Sequence, residues 1–128
     1  MLDEKARQIL GSKSFAHIAF AGPGGRPYVS PVWVDLDDGR IVINTAEGRV
    51  KARLLAPGTP VVLSALDPEN PYSYVGIRGR VVERTNEGAE EVIDRLAKKY
   101  IGADTYPWRQ PGERRVTIVI EPERTYGM

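Results

Sequence analysis

At 128 residues the chain fits one domain, 1–128, long enough to bury a core without metal or disulfide staples. It has no cysteine and a single histidine, His17, which excludes disulfides, thiolate nucleophiles and a multi-histidine metal site within one chain. A net charge of +1 offers no global field to hold nucleic acid or a membrane surface, so any anion site must be local.

Asp3 caps a short first helix with Leu2, Ala6, Ile9 and Leu10 on one side and Gly11 at its end. This segment, MLDEKARQILG, has no signal-peptide apolar region. No stretch of the chain approaches the roughly 20 apolar residues of a membrane span, so the expected location is cytoplasmic. FAHIAFA (15–21) reads as a strand and GPGGRP (22–27) as turn chemistry. YVSPVWVDL (28–36) is a second strand, and Pro31 within it, lacking a donor, predicts an edge. DDG (37–39) signals a hairpin into RIVINT (40–45).

Residues 48–56 read as a basic helix stopped by APG (56–58), and PVVLSAL (60–66) as a buried strand. After the loop DPENP (67–71), 72–84 form a long strand whose Gly76 and Gly79 suggest bulges or close backbone approach. The helix at 87–101 carries its acids early and its bases late, matching the macrodipole. An aromatic loop (102–114) leads into a last strand, 115–127. About six antiparallel strands with three short helices predict a β-rich α+β domain that closes into a barrel. The helix after the third strand then bridges barrel parts.

GPGGRP has Pro27 where a dinucleotide fingerprint needs its third glycine, and no Walker loop exists. His17 alternates within an apolar strand and reads as structural. Two features remain. Arg49, Lys51 and Arg53 crowd a strand-to-helix junction just after Thr45, as a phosphate site or as a solvated helix flank. Arg49 and Arg53 share a helical face, while Lys51 lies about 200° from Arg49, so all three meet one anion only if 49–51 are loop or first turn. Trp33, Tyr72, Tyr74, Tyr106 and Trp108 could cover a planar ring, or simply pack.

GRPYVSPVWVDLDDGRIVINT followed by GRVKARLL resembles the pyridoxamine 5′-phosphate oxidase-like split β-barrel flavoproteins, and most of all their branch that uses the deazaflavin coenzyme F420. VVLSALDPENPYSYVGIRGRV, LAKKYIGADTYPWRQPGERRV and IEPERTYG extend the likeness over nearly the whole chain. The resemblance implies an FMN-binding split barrel that forms a homodimer, with two cofactors in grooves between the subunits. It places Ser30, Pro31, Val32 and Trp33 beside the ring. Asn44, Thr45 and the cations Arg49, Lys51 and Arg53 fall at the phosphate end, and Trp108 with Arg109 in a loop that reaches the partner's groove.

The implied activity is hydride transfer from reduced F420 to a planar conjugated small molecule. The alternatives are an FMN reductase or oxidase of the same fold and a non-catalytic F420 carrier. No metal and no catalytic side chain are implied, and Tyr72, Tyr74 or solvent stand as proton sources. The substrate-phosphate residues of the pyridoxal-phosphate side are missing, which disfavours pyridoxamine oxidation. The lone histidine disfavours the haem-handling relatives.

Overall fold

In a computed structural model, which describes residues 2–127, the strands are β1 (Ala16–Ala21), β2 (Pro27–Val32), β3 (Asp35–Asp37), β4 (Arg40–Ala46), β5 (Pro60–Asp67), β6 (Asn70–Thr85) and β7 (Arg115–Gly127). Three helices accompany them, α1 (Glu4–Gly11), α2 (Val50–Leu54) and α3 (Ala89–Ile101). The strands form one sheet in the order β2-β1-β5-β6-β7-β4-β3, and every pairing is antiparallel. The molecule is a β-rich split barrel, as expected, with seven strands rather than six.

The additional strand arises because 28–36 is not continuous. β2 pairs with β1 at one edge of the sheet, and β3 pairs with β4 at the other. Between them the backbone of Val34 leaves the ladder and finds its partners on α3. Its N–H donates to Tyr100 Oη at 3.2 Å, and its carbonyl accepts from Lys99 Nζ at 2.6 Å. Buried backbone groups need partners, and here two side chains supply what a neighbouring strand would otherwise give. Pro31 lies on the edge strand β2, where a missing donor costs nothing.

The hairpin at 37–40 turns through Asp38 and Gly39, both at positive φ (52° and 79°), the signature of a two-residue primed turn. The register of β6 on β7 shifts at Arg78/Gly79, where the extra residue is Glu123 on β7; a Cβ on Gly79 would lie 2.6 Å from the Glu121 carbonyl oxygen, so Gly79 marks the expected close backbone approach. The core is built from strand residues that are fully buried, among them Ile18, Ile41, Ile43, Leu63, Ile77 and Ile118. α1 is capped by Asp3, whose carboxylate accepts from Ala6 N–H at 2.8 Å, and it adds Ile9 and Leu10 to that core. α3 packs Ile93, Leu96 and Tyr100 into a second cluster against Trp33 and Tyr106. β4 and β5 are not neighbours in the sheet, so α2 carries the chain across the barrel rather than making a parallel crossover.

Candidate functional site

β2 ends, β4 ends and α2 begins around one cavity of about 360 Å³, within the size range of small-molecule sites. Pro31, Val32 and Trp33 line it from the end of β2, Asn44 and Thr45 from β4, Arg49 and Lys51 from the start of α2, and Trp108 from the loop before β7. Ser30 is not part of the wall, but its hydroxyl accepts from Lys51 Nζ at 2.8 Å. Arg53 is separated from this group. It sits in the last turn of α2, is exposed, and does not line the cavity.

The helical phase explains that split. Arg49 is the N-cap, in extended conformation (φ −81°, ψ 160°), and Lys51 lies in the first turn, so both reach the cavity. Arg53 follows Lys51 by two residues, about 200° round the helix, and its direction has rotated away. α2 spans five residues instead of the expected 48–56, which leaves little macrodipole. The charge at this end comes from side chains rather than from a helix terminus.

Lys51 is half-buried, and among the described residues no carboxylate lies within ion-pair distance of it. Burial, and then the neighbouring charge of Arg49, hold its ammonium below the ordinary lysine pKa. Thr45 is 1% exposed and its hydroxyl has no hydrogen-bond partner among the described residues. A buried polar group left unpaired costs about 1–3 kcal/mol, and this one lies enclosed behind a cavity-lining residue.

Sequence reasoning missed two members of this end. Arg115 opens β7 directly across from Ala46, is 3% exposed, and lines the cavity. Its Nε donates to Asn44 Oδ1 at 2.8 Å, its Nη1 to Glu113 Oε1 at 3.2 Å, and its guanidinium lies 5.0 Å from the Tyr106 ring centre. Glu113 is itself nearly enclosed and approaches Arg49 Nη2 at 3.7 Å. The available signal was an arginine leading an otherwise apolar strand, RVTIVI, where a buried cation needs a reason.

Aromatic rings form the other end. Trp33 stacks on Tyr100 with centroids 5.3 Å apart and planes within 4°. Tyr106 meets Trp33 edge-on at 6.2 Å, and Trp108 lies 6.2 Å from Trp33 and 5.8 Å from Tyr106. The loop carrying them is tied to α3: Tyr106 N–H donates to Asp94 at 2.8 Å, and Arg109 reaches Asp94 at 2.8 Å and Glu90 at 2.9 Å. Tyr72 and Tyr74 are elsewhere. Tyr72 is highly exposed near the start of β6, and Tyr74 borders a small hollow near Asp3. Neither lines the cavity of its own chain. His17 is exposed on β1 rather than packed into the core.

Cations at one end, with flat apolar walls at the other, suit a planar ring that carries an anionic tail. The sequence pattern of pyridoxamine 5′-phosphate oxidase matches residues 2–128.

The chain belongs to the pyridoxamine 5′-phosphate oxidase family.

An F420 reductase of known structure is 26% identical to it, with 98% of each chain covered and a TM-score of 0.82. HupZ from Group A Streptococcus is 20% identical, with 100% of this chain and 94% of that one covered and a TM-score of 0.69. The FAD and heme binding protein from Mycobacterium smegmatis is 18% identical, with 95% and 67% covered and a TM-score of 0.69. The last two share the fold. No curated protein matches the chain. This pyridoxamine 5′-phosphate oxidase family barrel therefore stands among flavin- and deazaflavin-type oxidoreductases. Among the described residues no helix is long and apolar enough to cross a membrane.

Proposed function

We propose that the protein is an oxidoreductase that binds coenzyme F420 in this cavity and reduces a planar, conjugated small molecule. One observation carries the reading. The cations Arg49 and Lys51, beside Thr45, share a cavity with the aromatic wall of Trp33 and Trp108. Likeness to an F420 reductase over 98% of the chain supports the choice of deazaflavin over FMN.

When bound, the reduced deazaflavin supplies a hydride from its central ring carbon. The chain's own residues orient the group and exclude water. Trp33, backed by Tyr100, gives the ring a rigid flat wall, and backbone groups at the end of β2 reach its polar rim. Thr45, Arg49 and Lys51 hold the phosphate, and Ser30 holds Lys51. Arg53, exposed beyond them, meets the acidic tail only through solvent-screened attraction.

The reading includes a homodimer with the cofactor between subunits. The outer face of β1, β2 and β5 supports it, because Phe15, Val29 and Leu66 are 62%, 68% and 49% exposed there. Light scattering at micromolar concentration tests this part, and a monomer rejects it.

Fluorescence titration with F420 and with FMN tests the cofactor. Tighter binding of F420 is expected, and clearly tighter FMN binding replaces it with an FMN enzyme of the same fold. Reduced F420 is then offered with quinones, enones and tetrapyrroles. Turnover no faster than free coenzyme, despite tight binding, makes the protein a carrier.

A further inference from the structure

Arg115 has no assigned role, yet it is the most enclosed cation in the cavity wall. Burying a guanidinium is costly unless each charge and donor is matched. Here Asn44 takes Nε and Glu113 takes Nη1, while Nη2 has no hydrogen-bond partner among the described residues. Glu113 also approaches Arg49, so one carboxylate draws two guanidiniums together from β7 and from the start of α2.

We infer that Arg115 is a direct ligand of the cofactor's phosphate, converging with Arg49 and Lys51, and that Glu113 positions it. Three cations and one carboxylate leave two positive charges at this end. That surplus exceeds the single negative charge of a phosphodiester such as that of F420 and equals the roughly two charges of a monoester such as that of FMN. The spare Nη2 supplies a hydrogen bond that the protein leaves unmade. The inference rests on the proposed flavin-type site and assigns its anion half.

Paired ligands that differ only in the phosphate test it. Dissociation constants of FMN and riboflavin, and of F420 and its phosphate-free deazaflavin chromophore, are measured for the wild type, R115Q and R115K. The readout is the preference for the phosphorylated member of each pair. R115Q keeps a donor for Glu113 and is expected to lose roughly tenfold to a hundredfold of that preference, with ring affinity unchanged. R115K keeps the charge but loses the fork, so its preference falls by less.

An unchanged preference in both variants overturns the inference. So does an equal loss for phosphorylated and phosphate-free ligands, which would make Arg115 a support for Tyr106 and the ring end. If R115Q fails to melt cooperatively, R115K alone decides, by whether its preference falls. A wild type that binds none of the four ligands refutes the proposed cofactor site itself, an outcome distinct from a failure at Arg115.

Discussion

Lys51 Nζ donates to the hydroxyl of Ser30 at 2.8 Å, and this bond ties the start of α2 to the edge strand β2. It joins the cationic end of the cavity to the strand that leads into Trp33. Lys51→Ala is expected to weaken binding of F420 or FMN by about 1.5–3 kcal/mol, the worth of a charge-assisted hydrogen bond. Ser30→Ala removes only the orienting partner and is expected to cost about 0.5–1.5 kcal/mol. Glu91→Ala, on the solvated side of α3, is the control and leaves affinity alone. Fluorescence titration checks all three. Full affinity in a folded Lys51→Ala protein would remove Lys51 from the site.

The same lysine predicts how binding depends on pH. Burial, and then Arg49, lower its pKa from the ordinary 10.5. An anion is attracted to the charged form, which is complete below the lowered pKa and lost as pH rises through it. FMN affinity is therefore expected to decline on the alkaline side earlier than titration of an ordinary lysine would give. Bound phosphate favours the ammonium, so binding moves the pKa back up and takes up protons where Lys51 is partly neutral. Lys51→Arg, charged throughout, flattens the profile. Parallel profiles for wild type and Lys51→Arg would show that Lys51 does not set the dependence.

Alternation and helical spacing made most of the barrel legible, because strand interiors such as RIVIN and the amphipathic face of α3 obey local periods. The division of 28–36 into β2 and β3 was not legible. It depends on Tyr100 and Lys99, residues more than sixty positions away, taking over the backbone groups of Val34. The length of α2 was overread because KARLLA continues a helical pattern, whereas Leu55 is drawn into the core in a non-helical conformation. At the site, Thr45, Arg49 and Lys51 follow one another in sequence and could be seen as a group. Arg115 comes from a strand that joins them only through sheet pairing with β4, which no local pattern reveals.

Tyr100→Phe isolates the hydrogen bonds that close the break after β2. The Tyr100 hydroxyl donates to Ser14 O at 2.6 Å and accepts from Val34 N–H at 3.2 Å, both in buried surroundings. Phenylalanine preserves the stack on Trp33 but leaves a buried carbonyl and a buried amide without these partners. The expected cost is about 1–3 kcal/mol of stability. It is read as a lower denaturation midpoint with an unchanged m-value. Tyr100→Ala also removes the ring behind Trp33 and is expected to cost about 3–5 kcal/mol, the scale of deleting a buried aromatic. A Tyr100→Phe midpoint equal to wild type would mean that Ser14 and Val34 find other partners.

Arg109 offers the opposite signature to Lys51. Its guanidinium joins Asp94 at 2.8 Å and Glu90 at 2.9 Å, holding the Trp108 loop against α3 at the aromatic end. These pairs are partly solvated, so Arg109→Ala is expected to change global stability by at most about 1 kcal/mol. Local order should change more. The Tyr106 amide, bonded to Asp94 at 2.8 Å, is expected to exchange with deuterium faster once the loop loses its second tether. Because Trp108 packs beside Trp33 at the ring end, FMN and riboflavin should lose affinity together, whereas Lys51→Ala affects FMN far more. A loss confined to the phosphorylated ligand would contradict this division of the cavity into an aromatic end and an anion end.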